Sequence, residues 1–454
     1  MRISCERSLI KSFVTMKVLH RLKSNKMLLR LLGGGAIAVL IKGSAAAASL
    51  AMFTALAWVT DTESFGVIGF CFSLATLLAV AGSMGQRMMS LKDAAIAHEN
   101  ADGSQLALIG KSSLLLVVLG TLAFALLLVP AKAFGLLQLD AQVFAAMAVL
   151  AAALAFAENA VHFFRGYRTI AFSLLPRDIF WRLAVLAVCL GLWAFSLSLS
   201  AAAAVWLLGL PLFALILLQA GSDPHLRRPI ALRELFAAAA ARVRTGLPLW
   251  GTSLIQTVGG PVLAPVILGV VLSPDEVGPF FAAFRIALVL DLFTLASAMV
   301  VAPLVARGHA NGNFAETQAM LRYSVLLVSM ATLVSFLIIV FYGDWLLALM
   351  NPDFATAAPA LTVLGAGFLI SVCCGPVPNI LELAGQEKTL LRRLVWFNFI
   401  CLAALVPATE HFGMTGAAFC TAGLRAVTHI TLLFTVKKRV GIDPSIFSLW
   451  SKAA

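Results

Sequence analysis

The chain has 454 residues, of which 61% are hydrophobic and only 12% charged, and its mean hydropathy is +0.98; soluble globular chains carry about a quarter charged residues, so that class is excluded. A net charge of +12 does not indicate nucleic acid, because the bases are spread over many connections and not gathered into one stripe. Orientation in a membrane and contact with anionic lipid headgroups account for it. The seven cysteines lie mostly in apolar segments without metal-ligand spacing, so they read as small packing residues and not as a disulfide or zinc framework.

In chain order, a basic tail (1–30), with candidate start positions at Met1, Met16 and Met27, precedes apolar segments at 31–59, 64–86, 105–130, 139–164, 179–197, 200–220, 245–272, 279–306, 323–342, 356–384, 394–407 and 413–436. A helix needs about 20 residues to cross a bilayer, so about twelve transmembrane helices are expected in an all-α integral membrane protein. The first segment is too long for a signal peptide, and no convincing cleavage site follows it. All Lys and Arg except Lys42, Lys132, Arg285 and Arg425 lie in the tails or in every second connection, among them Arg87, Arg168, Arg177, Arg182, Arg228, Arg242, Arg322 and Arg393. The intervening connections carry Asp61, Glu63, Asp140, Asp275, Glu276, Asp344, Asp353 and Glu410. By the positive-inside rule both termini are cytoplasmic.

The polar connection 221–244 divides the chain into an N-terminal six-helix bundle (31–220) and a C-terminal one (245–436), with a tail at 437–454. Sliding one half along the other by 212 residues places Arg30 on Arg242, Gly34 on Gly246 and Gly66 on Gly278. Each half has an even number of spans, so both copies start on the same side. The pseudo-twofold axis then runs along the membrane normal, with a substrate path between the halves.

An ionisable group inside a span is costly in hydrocarbon and usually faces a bundle interior or a watery cavity. Lys42 lies eleven residues past Leu31, roughly 16 Å into a core about 30 Å thick. Arg425 is at similar depth in the last span, and Arg285 is six residues into the eighth. These three bases are the candidate cationic lining for an anionic substrate; the competing reading is that each pairs with an acid on another helix and locks the bundle. Asp291 and Glu158 are the acids that could couple a proton or sodium gradient, and for both an ion pair with a neighbouring base is the favoured reading. Glu382 is expected to pair with Arg392 or Arg393. Backbone breaks are expected at Gly260, Pro261 and Pro265 in the seventh span, and at Gly375, Pro376 and Pro378 in the tenth. Such breaks mark either ordinary kinks or a moving helix.

No phosphate-binding loop of the Walker type is present, no metal cluster has ligand spacing, and no catalytic constellation stands out, so neither an enzyme nor a resident cofactor is expected. A polytopic glycan polymerase or ligase would need a large external loop, whereas the external connections are short.

The basic lead-in Leu28–Gly35, the acidic turn ending in Gly66, its second copy Ser273–Ile286, and the segments Val301–Asn313, Ala357–Leu364 and Glu382–Lys388 resemble the polysaccharide flippases. This is the Wzx-like branch of the superfamily that also holds multidrug exporters of the MATE type and peptidoglycan lipid flippases. The resemblance covers residues 28–440. It implies two helical bundles in a V alternating between inward- and outward-open states. The implied substrate is an undecaprenyl-diphosphate-linked oligosaccharide in a bacterial inner membrane, for O-antigen, capsule or exopolysaccharide synthesis. Membrane lipids, a polysaccharide polymerase and export machinery are the implied partners, and nucleic acid is not among them. The rival function is a cation-coupled multidrug exporter, which would want an acidic or aromatic-lined cavity; the excess of mid-span bases favours an anion.

Overall fold

In a computed structural model, residues 26–135, 137, 139–258, 262–295 and 314–449 are described, and every regular element among them is helical. Helices α1 (Lys26–Trp58), α2 (Thr62–Gly82), α3 (Gln86–Glu99), α4 (Gly103–Ala133) and α5 (Ala141–Arg165) come first. A short α6 (Ile170–Leu175) runs through a π turn (Pro176–Phe180) into α7 (Trp181–Ala194), followed by α8 (Ala201–Gly221). Then come α9 (Leu232–Val258), α10 (Leu263–Val271), α11 (Pro274–Ala287), α12 (Phe314–Ala348), α13 (Ala358–Cys373), α14 (Val377–Leu383) and α15 (Glu387–Arg439). Apolar segments adopt helices because only local bonding satisfies every backbone N–H and C=O in hydrocarbon. The starts are set by side chains that accept from free N–H groups: Asp61 from Ser64 at 2.6 Å, Asp102 from Gln105 at 2.9 Å, and Ser200 from Ala203 at 3.3 Å.

Among the described residues nine helices are long and apolar enough to cross a membrane, and ten when the bent pair α9–α10 counts as one span. The other two expected spans are also present. The 53-residue α15 is a hairpin, because Gly413 has φ 57° and ψ −145° inside it. Arg393 then donates to the carbonyl of Thr431 at 2.9 Å, across the two arms. The fifth expected span, 179–197, falls mostly within the continuous run Ile170–Ala194, whose π turn carries Arg177 and Asp178. The chain is a multi-pass membrane protein of two helical bundles.

Two elements differ from the sequence expectation. Helix α3 was not foreseen; it is polar and sits across one end of the first bundle, against α4 and α5. Helix α9 begins at Leu232, well inside the stretch expected to be a connection, and its Arg242 is buried. Arg242 donates to Gln86 at 2.8 Å, Asp93 at 2.7 Å and Ser90 at 3.3 Å, so a base expected to meet headgroups instead fastens α9 to α3. At the same end, Arg168 Nη2 bonds Asp223 at 2.7 Å. Burial alone would raise the Asp223 carboxyl, but hydrogen bonds from Arg168, Tyr167 and the His225 N–H, together with the Arg168 charge, outweigh it and hold the group below the usual carboxylate range.

The bundles meet chiefly through α2 and α11. Small residues permit the approach, as in other membrane helix pairs. A Cβ on Gly66 would lie 1.7 Å from the carbonyl oxygen of Pro274, and one on Gly278 would lie 2.8 Å from that of Thr62. The two glycines that the repeat superimposes therefore touch each other across the seam. Around them Phe53, Phe65 and Phe281 are fully buried, Phe281 meeting Phe53 with ring centroids 5.2 Å apart.

Candidate functional site

A cavity of about 210 Å³ lies inside the seam, lined by Lys42, Ala45, Ser49, Asp178, Arg182 and Arg285 among others. Lys42 comes from the middle of α1, Asp178 and Arg182 from the π turn and first turn of α7, and Arg285 from the last turn of α11. Three bases thus face one acid. Lys42 Nζ lies 2.5 Å from Asp178 Oδ2, and Arg182 Nη1 is 3.8 Å from Asp178 Oδ1. Arg182 also donates to the backbone carbonyl of Asp178, one helical turn earlier.

Arg285 is held differently. Its guanidinium carbon lies 4.2 Å from the Phe53 ring centroid, 4.6 Å from that of Phe72 and 4.7 Å from that of Phe281. Aromatic faces attract a cation through their quadrupoles, so three rings from both bundles seat this base. Among the described residues no carboxylate pairs with it. With Asp178 ionised the cavity wall carries a formal charge of +2, from the three bases and one acid just named.

Arg425 does not join this group. It lines a separate, largely apolar pocket inside the second bundle, with Phe284, Phe368, Asn398, Thr428 and His429. Its Nη2 pairs with Asp291 Oδ1, its Nε donates to Ser371 Oγ at 2.9 Å, and its carbon lies 4.1 Å over the Phe368 ring. The expected single lining of three bases is therefore divided, with two in the seam and one in the C-terminal bundle. Depth along a helix can be read from sequence, but the face that side chains at positions 42, 285 and 425 present depends on how their helices rotate in the packed bundle.

The candidate coupling acids are both ion-paired. Glu158 gives one carboxylate oxygen to Arg87 at 2.6 Å and the other to Arg177 at 2.5 Å. Asp291 meets Arg425 as above. Glu382 accepts from Gln256 Nε2 at 3.2 Å, while Arg393 is engaged with Thr431, so the expected pairing of Glu382 with Arg392 or Arg393 is replaced by a bond to α9.

Sequence reasoning missed Asp178 and Arg182 as cavity residues, having counted Arg177 and Arg182 among loop bases. A signal was present: Asp178 is a lone acid among bases at the edge of a span, four residues before Arg182, which is the spacing of neighbours on one helical face.

The helix breaks are found where the described residues allow a view. Helices α9 and α10 are bent by 63°, and Pro265 lies buried within α10; Gly260 and Pro261 fall outside the described residues. In the tenth span Gly375 has φ 81°, Pro376 is the N-cap of α14 and Pro378 lies in its first turn. A Cβ on Gly375 would sit 2.3 Å from the carbonyl oxygen of Pro444, so this break is filled by the segment after α15 and is a packed kink.

No family model matches the sequence, and no curated protein matches it. Solved structures do. An inward-facing multidrug resistance MATE family transporter of the MOP superfamily superimposes with a TM-score of 0.70 at 14% identity, covering 92% of this chain and 100% of its own. The lipid II flippase MurJ, in an inward closed conformation, gives 0.66 at 12% identity over 89% of this chain and 87% of its own. A MOP superfamily transporter from Pyrococcus furiosus, described as having a binding pocket of reverse polarity, gives 0.60 at 14% identity over 90% and 95%. With helices throughout the described residues, two bundles and these likenesses, the chain has the fold shared by MATE-type transporters and the lipid II flippase.

Proposed function

We propose that the protein flips undecaprenyl-diphosphate-linked oligosaccharide repeat units across a bacterial inner membrane, by alternating access between its two bundles, for the synthesis of a surface or secreted polysaccharide. The observation that carries this reading is the seam cavity, in which Lys42, Arg182 and Arg285 outnumber Asp178. A diphosphate must cross a low-dielectric region, and fixed bases along its path offset its desolvation. The end bearing the basic connections would face the cytoplasm, with both termini there. A polymerase acting on the delivered units is the natural partner. A proton or sodium ion would couple the cycle.

A cation-coupled multidrug exporter is the second reading, supported by the likeness to the MATE transporter. Charge sign separates the two, because cationic drugs would meet repulsion from this wall. Deleting the gene should abolish the polysaccharide while lipid-linked repeat units accumulate in the inner leaflet. Unchanged polysaccharide with altered drug sensitivity would replace this reading with the exporter.

Arg285 offers a sharper test within the protein. Among the described residues it strands no acid when neutralised, and removing a charge from the membrane should ease insertion by roughly 2–3 kcal/mol. Arg285→Gln should therefore keep normal membrane abundance and lose most polysaccharide output, measured side by side. Normal output at normal abundance would remove Arg285 from the path.

A further inference from the structure

The three bases of the seam cavity are not equally free, and the difference bears on what the cavity selects. Arg285 is seated on three phenylalanine rings and has no carboxylate partner among the described residues. Ring faces leave the guanidinium edge able to donate to an incoming anion. Lys42 and Arg182 instead share Asp178, whose side chain is only 3% exposed while that of Lys42 is 33% exposed. Asp178 thus occupies, from behind, the place that an anion would take from the front. It comes from the same bundle as Lys42, whereas Arg285 comes from the other.

We infer that Asp178 is a specificity-determining residue: an internal competing anion that makes the seam cavity discriminate a lipid diphosphate from a lipid monophosphate. The inference rests on the reading of the cavity as the diphosphate path. A monophosphate satisfies Arg285 and gains little more, because Lys42 is already neutralised at 2.5 Å by Asp178. A diphosphate has a second anionic group that reaches Lys42 while the first remains on Arg285, and its greater charge wins the lysine from the resident carboxylate. The distinction has physiological weight for a carrier-lipid transporter. In the proposed reaction polyprenyl monophosphate is the bare carrier and the repeat unit rides on the diphosphate, so a cavity that held the monophosphate equally well would be occupied by its unloaded carrier. Asp178 lowers affinity for both, and more for the weaker competitor.

The test uses the full-length protein in lipid nanodiscs, with undecaprenyl phosphate and undecaprenyl diphosphate as probes and native mass spectrometry as the readout of occupancy. Wild-type protein should prefer the diphosphate. In Asp178→Asn, Lys42 is released to either ligand, so monophosphate affinity should rise by about tenfold, the worth of one charge-assisted hydrogen bond. Diphosphate affinity should rise less, and the preference should shrink accordingly. Asp178→Glu, which keeps the charge, should retain the preference; a role confined to holding the fold would lower both affinities together and leave their ratio unchanged. Should Asp178→Asn not accumulate, the triple variant Lys42→Gln, Asp178→Asn and Arg182→Gln removes the acid and both bases that share it at once. It should bind the two lipids through Arg285 with little preference, and a wild-type ratio in it would overturn the inference. Binding of the diphosphate by wild type with an unaltered ratio in Asp178→Asn overturns the role of Asp178 alone. Failure of wild type to bind either lipid overturns the diphosphate path itself.

Discussion

Replacing Gly66 by valine should abolish transport while leaving most of the protein in the membrane. A Cβ at this position would meet the Pro274 carbonyl oxygen at 1.7 Å and the carbonyl carbon at 2.6 Å. Both are backbone atoms that cannot rotate away, and ordinary contact needs more than an ångström of extra separation. Gly66 and Pro274 stand on opposite sides of the seam, so the strain is released most cheaply by parting α2 from α11 there, not by unfolding either bundle; overpacking elsewhere in cores costs about 1–3 kcal/mol. The neighbouring contacts should part with it, including Thr62 Oγ1 to Asp353 Oδ2 at 3.0 Å and Trp58 Nε1 to the Leu349 carbonyl at 2.8 Å. A cysteine pair at Thr62 and Asp353 should cross-link readily in the wild-type background and poorly with Gly66→Val. The pseudo-equivalent Gly278→Ala should be milder, since its nearest atom would be at 2.8 Å. Equal cross-linking and equal polysaccharide output in both variants would mean that the seam does not close as described.

Glu158→Gln should have the opposite signature, with the protein itself lost. The carboxylate is divided between Arg87 and Arg177, at 2.6 and 2.5 Å, and its side chain is 12% exposed. Substitution leaves two guanidinium groups in a poorly solvated site with no acid between them. Breaking a buried pair from one side typically costs about 3–5 kcal/mol, a large share of the roughly 5–15 kcal/mol that holds a domain folded. Membrane abundance should therefore fall several-fold. Neutralising one partner as well, in Glu158→Gln with Arg177→Gln, should recover part of the loss by removing one of the two stranded charges. Were Glu158 instead the coupling acid, Glu158→Gln would accumulate normally and lose only gradient-driven transport, so immunoblot and transport measured together decide between the two roles.

The contrast between these two sites shows which features could be read from the chain. The spans, their alternating polarity and the helix breaks near Pro265 and Pro376 are local properties of composition and backbone chemistry, and they were legible in the sequence. The repeat that pairs Gly66 with Gly278 was legible too, because an acidic turn followed by glycine recurs at a fixed offset. What the repeat did not disclose is that the two glycines touch. That follows from the packing of α2 against α11, which is set only when the bundles dock.

The long-range partners of the charges were decided by tertiary structure alone. Lys42 meets an acid 136 residues away, and Arg425 meets one 134 residues away. No helical or strand periodicity reaches across such a separation. Sequence determined that bases would stand in the membrane at positions 42, 285 and 425, because their distance from the span ends is a matter of rise per residue. It did not determine that positions 42 and 285 open on one cavity and 425 on another, or that Asp178 and Arg182 belong with the first. Those facts depend on the rotation of each helix about its own axis, and packing against neighbouring helices, together with a π turn that shifts the facing of Arg177 and Asp178, sets that rotation.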